Sequence, residues 1–429
     1  MKSALIYNFN ESTWKSCQSI SKNLFKSYKS FLNRDDLFTY DYNYEMSDFQ
    51  IFNIASSIKS SNIKRMIIID HTPHPLKLLI ALDKLKYFDD KKKEIIIHVF
   101  GDFTLFSSSW EKAQTILKKT YVKLICASEK QSLLIKSFLN DAASVFTMPF
   151  PVDTQFFNFD KKVSLHLKQI INLNKEKIIF SYAGRLSSQK KIIELINCYE
   201  TYVNLNEKDS VLLLAGKFDG IGSPFIGDIY ECERYECDCI ELISNFNKSY
   251  EHAKIIYVSN LAQDELKNFK LVTDIFISLS VHNDEDFGMS PAEALSTGLP
   301  AILTDWAGYS SFATIGSQIS LINVQLTDSS IVFDKTDVVT EMLKMSDEIN
   351  ILRSKRMEFA RSAHDYLSIK TGTENIQNIL NTPRKRFEGF NLKFRKLTSC
   401  FGKNAPPFGD IKVEYTYNNL YQEIYGHYF

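Results

Sequence analysis

No charge of either sign predominates in this chain of 429 residues, where 51 lysines and arginines stand against 51 aspartates and glutamates. A diffuse attraction to nucleic acid therefore has no basis, and any partner must be recognised by a local site. No apolar run approaches the roughly 18 residues that a membrane-spanning helix needs. Met1 to Phe9 reads as a short strand and lacks the longer apolar region of a secretory leader. The seven cysteines lie mostly singly within apolar stretches, as reduced, buried thiols of a cytoplasmic protein would. Cys232, Cys237 and Cys239 form the one cluster, but it contains no Cys-x-x-Cys pair and the next histidine is His252, so a structural zinc is not expected.

The length suffices for two or three domains with sizeable cores. Apolar runs alternating with amphipathic stretches indicate an α/β chain. Strands are expected at Ala4–Phe9, Met66–Ile69, Glu94–Phe100 and Val122–Ala127, and a helix at Trp14–Phe31 with Ile20, Leu24, Phe25, Tyr28 and Phe31 at helical spacing. Met148-Pro149-Phe150-Pro151 marks a linker, ending a first domain near residue 155. The alternation then restarts, with strands at Ile178–Ala183, Val211–Ala215, Lys254–Val258, Asp274–Leu279 and Ile319–Val324, a helix from Lys191 to about Asn204, and a shorter one at Asp264–Phe269. Residues 216–250 read as an irregular insertion. Helical patterns follow at Val338–Ile349, Leu352–Leu367 and Glu374–Leu380.

Two stretches carry the chemistry. In the first, the strand ending at Leu279 leads through Glu285-Asp286-Phe287-Gly288-Met289 to Ser290-Pro291, which reads as an N-cap followed by proline at the first helical position, and Gly298 and Pro300 end the helix. Glu285 and Glu293 flank that helix start with seven residues between them. The amides of Phe287, Gly288, Met289 and Ser290 lie between the two acids, and free N–H groups at a helix start attract anions. An anion cradle beside two hydroxyl acceptors suits a molecule that is part phosphate and part sugar. Ser290-x-x-Glu293 also has the form of a capping box, in which Glu293 would only satisfy the Ser290 N–H. The second stretch, Gly184-Arg185-Leu186-Ser187-Ser188-Gln189-Lys190, leaves a buried strand through a glycine and sets two cations at its carboxyl end, where α/β folds bind ligands. His71, His74 and His98 end two earlier strands.

Glu-x-Phe-Gly-Met-x-x-x-Glu-Ala-Leu-x-x-Gly-x-Pro over 285–300, with Gly-Arg-Leu-x-x-x-Lys over 184–190, resembles the signature of retaining glycosyltransferases of glycosyltransferase family 4. That resemblance implies a GT-B fold, with two Rossmann-like domains facing a central cleft and a C-terminal helix crossing back to the first. It apportions the chain as 1–155, an acceptor-side domain; 156–350, a donor domain; 351–382, returning helices; and 383–429, a tail without a family counterpart. It implies that Arg185 and Lys190 meet the donor diphosphate and Glu285 holds the donor sugar. Glu293 would bind the ribose, and Gly184, Phe287, Gly288 and Met289 would line the donor, with Ser259 near the base. His98 is favoured over His71 and His74 beside the transferring sugar. The family's Gly-Gly pair after the first strand is replaced by Asn10-Glu11-Ser12-Thr13, and its Asn-Gly at the domain crossing by Phe150-Pro151.

The expected activity is transfer of a sugar from a nucleotide-diphosphate sugar to a hydroxyl, on a carbohydrate, lipid-linked or protein acceptor, in surface polysaccharide or glycoconjugate synthesis. No cofactor and no metal are expected, although Asp284-Glu285-Asp286 has the form of a metal-binding Asp-x-Asp. The alternatives are a nucleotide-sugar epimerase of GT-B shape and a non-catalytic nucleotide-sugar binder. Arg384, Lys385, Arg386, Lys393, Arg395 and Lys396, interleaved with Phe387, Phe390 and Phe394, offer peripheral contact with the inner face of a membrane. Packing of this segment on the first domain is the favoured reading.

Overall fold

The computed structural model describes the chain except residues 10–14, 34, 44, 70–74, 91, 102, 105, 171–175, 220–231, 284, 328–330 and 401–421. The described residues fall into two compact units, one of 1–152 with 368–400 and Tyr428, the other of 153–367 with 422–427 and Phe429.

The first unit contains strands β1 (Ser3–Tyr7), β2 (Leu37–Asp41), β3 (Arg65–Ile69), β4 (Glu94–Val99), β5 (Tyr121–Cys126) and β6 (Val145–Thr147). They form one parallel sheet in the order β2-β1-β3-β4-β5-β6. Helices α1 (Lys15–Phe31), α2 (Asp48–Ser60), α3 (Leu76–Lys84), α4 (Ser107–Leu117) and α5 (Glu129–Ser137) connect them. Met66 to Ile69 and Ile95 to Ile97 are fully buried, as unbroken apolar strands of a sheet covered on both faces must be. On α1 the buried apolar residues are Ile20, Leu24 and Tyr28, one turn apart, while Phe25 and Phe31 are half-buried at the margin of that stripe.

The second unit begins with α6 (Lys161–Ile170) and continues through β7 (Ile178–Ala183), α7 (Ile192–Leu205), β8 (Ser210–Ala215), α8 (Cys232–Ser249), β9 (Ala253–Val258), α9 (Gln263–Val272), β10 (Ile275–Ser278), α10 (Met289–Ser296), β11 (Ala301–Thr304) and β12 (Ile319–Ile322). A small antiparallel pair, β13 (Val324–Leu326) with β14 (Ile331–Phe333), precedes α11 (Lys335–Asp347) and α12 (Ile349–Leu367). The main sheet is again parallel, in the order β12-β11-β10-β7-β8-β9. The order reverses between β7 and β10, which places a ligand crevice at the carboxyl ends of those two strands.

Several expectations need correction. Residues 232–249, read as part of an irregular insertion, form α8 and bury Tyr235, Cys239, Ile243 and Phe246. Their spacing of four, four and three is helical, and the polar residues between them hid it. The strand expected to run on to Val324 stops at Ile322, and Val324 opens the small hairpin instead. Burial pushes the thiols of Cys198 and Cys239 up to about 12, so both stay protonated.

After α12 the chain returns to the first unit at Ser368. There α13 (Ile369–Asn381) packs on α1, and the buried Lys123 ammonium donates to the carbonyls of Ile379 (2.6 Å) and Thr382 (3.0 Å) at its end. Further on, α14 (Leu392–Cys400) brings Phe394 into an aromatic cluster with Phe103 (5.7 Å), Phe138 (5.6 Å) and Phe390 (4.0 Å). Phe387, Phe390 and Phe394 are all buried, so the aromatic members of the basic patch are not available to a bilayer. Arg384, Lys385, Arg395 and Lys396 remain exposed. No described helix is long and apolar enough to cross a membrane.

Candidate active site

Both chemical stretches lie in the second unit and leave adjacent strands, Gly184–Lys190 following β7 and 279–288 following β10. The Val281 N–H donates to the Gln189 carbonyl (3.0 Å), tying the second loop to the first. The Ser290 hydroxyl donates to the Ala183 carbonyl (2.5 Å), tying the start of α10 to the end of β7. The β10 loop is braced from its other side by the segment after β11. Trp306 Nε1 donates to the His282 carbonyl (2.8 Å) and the Gly308 N–H to the Glu285 carbonyl (2.8 Å). At Gly308 a Cβ would stand 2.2 Å from the Asp286 carbonyl oxygen, so this approach admits only glycine.

Within this frame the Lys190 ammonium pairs with Glu285. Ser280 Oγ donates to the same carboxylate oxygen (2.6 Å) and lies 3.2 Å from Lys190 Nζ. Arg185 pairs with Asp219, which follows β8, at 3.0 Å. Its backbone carbonyl accepts from the buried Tyr182 hydroxyl (2.6 Å). The electrostatics place these groups in reach of one another. The Tyr182 phenol is pushed up by burial and then by the Glu285 charge, with Arg185 opposing. His282 is held well below its usual range by burial and then by Lys190 and Arg185, so it is neutral. Tyr309, whose hydroxyl meets Ser278 Oγ at 2.8 Å, is pushed up by burial and by Glu285.

The second acid behaves differently. Glu293 lies on α10 and its Oε2 accepts from Lys270 Nζ of α9 at 2.8 Å. Lys270 is fully buried and Glu293 only 6 % exposed. The capping-box alternative fails, because Ser290 does not hold the cap position and its hydroxyl donates to the Ala183 carbonyl. The expected helix start also moves, since α10 opens at Met289 with Gly288 in the cap position. Gly288 has φ +96°, which lets the chain turn into the helix two residues early. Pro291 loses nothing there, because the first N–H groups of a helix have no intrahelical acceptor in any case. Phe287, Gly288 and Met289 are buried at this turn.

Of the other sequence candidates, Gly184 lies just beyond β7 and Ser259 is exposed just beyond β9. His98 lies in the first unit, near the end of β4, and is fully buried. Its Nε2 is 2.8 Å from the Tyr28 hydroxyl, and burial pushes its pKa down to about 3. His71, His74, Asp284 and the Asn10–Thr13 loop lie outside the described residues. Sequence reasoning missed Lys270, Asp219, Ser280 and Tyr309. Lys270 had a signal, being a lone charge in the run Phe269 to Val272, where a buried ammonium requires a partner.

Known proteins resemble this chain in structure more than in sequence. No curated protein matches it. Anabaena Alr3699/HepE, solved in complex with UDP, superposes with TM-score 0.63 at 11 % identity, covering 89 % of this chain and 99 % of its own. A glycosyltransferase from Rickettsia africae gives TM-score 0.60 at 16 % identity, over 89 % of this chain and 99 % of its own. WaaG, a glycosyltransferase involved in lipopolysaccharide biosynthesis, gives 0.56 at 12 % identity, over 89 % of this chain and 100 % of its own. The chain thus has the α/β GT-B fold. Residues 164–318, which hold Arg185, Lys190, Glu285 and Glu293, match the family Glycosyl transferases group 1, and together these likenesses support a glycosyltransferase of GT-B fold.

Proposed function

We propose that this protein is a retaining, metal-independent glycosyltransferase that moves a hexose from a nucleotide-diphosphate sugar to a hydroxyl acceptor in polysaccharide or glycoconjugate synthesis. One observation carries this reading above the others. Two cations and the first acid of the signature, Arg185, Lys190 and Glu285, stand at the crevice where the strand order of the second unit reverses.

Breaking the bond between a sugar and a diphosphate accumulates negative charge on the departing phosphate. Catalysis therefore needs positive groups fixed where that charge grows. At ~4 Å and an effective dielectric near 20, one such pair interacts by roughly 4 kcal/mol, and ~1.4 kcal/mol changes a rate tenfold. In this reading Arg185 and Lys190 meet the diphosphate, Glu285 holds the donor sugar and Glu293 receives a ribose hydroxyl. The amides at Phe287, Gly288 and Met289 line the donor, and Ser259 lies toward the base. The α10 amino terminus adds a smaller attraction, roughly 0.3–1 kcal/mol for an exposed end. His98, favoured beside the transferring sugar, is fully buried against the Tyr28 hydroxyl and neutral, so its influence on that sugar passes through its neighbours and involves no proton. Retention follows if the acceptor hydroxyl attacks from the face the phosphate leaves, with a donor phosphate oxygen taking its proton. The exposed Arg384, Lys385, Arg395 and Lys396 supply attraction to an anionic inner membrane face, about 1 kcal/mol for each basic residue close to it.

The test is incubation of the pure protein with UDP-, GDP- and ADP-hexoses, following release of nucleoside diphosphate and the melting temperature. UDP-glucose, bound in a second HepE structure, is the first donor to try. A true donor at ~100 times its Kd stabilises the fold by about 2.7 kcal/mol and leaks slowly to water. Neither stabilisation nor release with any base would overturn the assignment, and stabilisation without release would favour a binder.

A further inference from the structure

We propose that Lys270 is a positioning residue for Glu293, and that the donor's ribose is recognised through this buried ammonium–carboxylate pair; the inference rests on the donor reading above. Nothing in the signature assigns a role to Lys270, which belongs to a different helix. Its Nζ donates to Glu293 Oε2 at 2.8 Å and lies 5.2 Å from the centre of the Phe157 ring. Lys270 is fully buried, so it cannot touch a ligand itself. Its contribution must pass through Glu293, which retains 6 % exposure.

The surroundings explain why the lysine is needed. An ionised carboxylate taken out of water is unfavourable without a counter-charge. The described neighbours offer no substitute: the Arg356 guanidinium of α12 is spent on the carbonyls of Lys270 (2.7 Å), Thr273 (2.8 Å) and Thr297 (3.0 Å), and His364 lies 2.8 Å from the Ser296 carbonyl. Lys270 itself is held below its usual range by burial, with the Glu293 charge opposing that shift. Engaging Oε2 fixes the carboxylate on one side, so in this proposal a ribose hydroxyl donates to Oε1. A hydrogen bond to a charged group contributes more than one to a neutral group. The consequence is selectivity for a ribose over a sugar ring without its hydroxyls.

The experiment measures the Kd of the parent for UDP, GDP and ADP by calorimetry, then compares the tightest with its 2′,3′-dideoxy analogue. The parent should prefer the ribonucleotide by about tenfold or more. K270M should lose most of that preference while affinity for the dideoxy analogue stays within about threefold. Because a lone buried carboxylate threatens folding, K270M/E293Q is measured against E293Q. A lysine acting only through Glu293 makes these two bind alike. K270M that lowers the melting temperature but keeps the parent's preference overturns the proposal, as does a double variant whose Kd departs from that of E293Q by more than about tenfold. If the parent binds none of the three nucleotides, the donor reading falls first and this one with it. A parent that binds but does not discriminate overturns the ribose role alone.

Discussion

Lys190 and Glu285 are partners in an ion pair that joins the loop after β7 to the loop after β10, and Ser280 donates to the carboxylate oxygen that Lys190 engages. The cation proposed for the diphosphate and the acid proposed for the sugar are therefore set by one another before any ligand arrives. This preorganisation removes part of the cost of arranging charges at the moment of reaction.

Replacing Lys190 by alanine should consequently reduce kcat by about a hundredfold or more, the scale seen when one fixed donor to a developing charge is removed, with a modest change in KM. Arg185→Ala should behave likewise. Steady-state kinetics on the donor identified above decides it. An effect confined to KM would mean these cations bind the ground state without favouring the transition state.

Gly288 tests the turn that starts α10. Its φ of +96° is strained for any other residue, and a Cβ would stand 2.3 Å from Tyr309 Cε1. Gly288→Ala should destabilise the protein by roughly 1–3 kcal/mol in urea titrations and raise the donor KM, since the adjoining amides shift. A fully stable G288A with parental KM would show that the turn is not held by that contact.

Much of this site was legible in the residues, because its parts are local. The glycine turns, the paired glutamates and the Gly-Arg-Leu-x-x-x-Lys loop each sit within a short window, and the strands before them are uninterrupted apolar runs. Contacts between windows were not legible. Lys270 is 23 positions from Glu293, and Asp219 is 34 from Arg185. Such pairs exist only once β8, β9 and β10 are laid beside β7. The edge strand β2 escaped for a different reason: Leu37-Phe38-Thr39-Tyr40-Asp41 is only partly buried and lacks an unbroken apolar run. The tail was readable for packing, since Phe387, Phe390 and Phe394 are too apolar to remain in water, but their partners Phe103, Trp110 and Phe138 were not.

Asp274 shows how the second unit holds the root of β10. Its carboxylate accepts from Lys168 (3.0 Å), from Arg353 (2.7 Å) and from the Ile179 N–H (3.1 Å). Burial alone would raise its pKa, but Arg353 and Lys168 hold it below the usual carboxylate value. Removing one member of such a buried cluster leaves unpaired charge, so Asp274→Ala should cost about 3–5 kcal/mol in chemical denaturation. A loss under about 1 kcal/mol, the worth of a surface pair, would contradict this account.

Metal independence is a separate expectation. Glu285, the central member of Asp284-Glu285-Asp286, is engaged by Lys190 and Ser280. Turnover on the identified donor should be unchanged by EDTA and by added Mg²⁺. Loss with EDTA and recovery with Mg²⁺ would reassign the diphosphate's counter-charge to a metal ion.

His98 gives the first unit a pH signature. Burial pushes its pKa down to about 3 from the 6.5 of a free imidazole, so below pH 6.5 the unfolded chain takes up a proton that the folded chain refuses. The associated stability is complete above that value, declines by about 1.4 kcal/mol per pH unit as the pH falls, and levels off near the folded pKa. Between pH 7.5 and pH 5 the parent should therefore lose about 2 kcal/mol more than His98→Gln, whose amide does not titrate but can still meet the Tyr28 hydroxyl. Urea denaturation of both proteins at the two pH values measures the difference. Parallel losses would show that the folded protein protonates His98 as readily as the unfolded chain does, and that burial against Tyr28 does not hold the imidazole neutral.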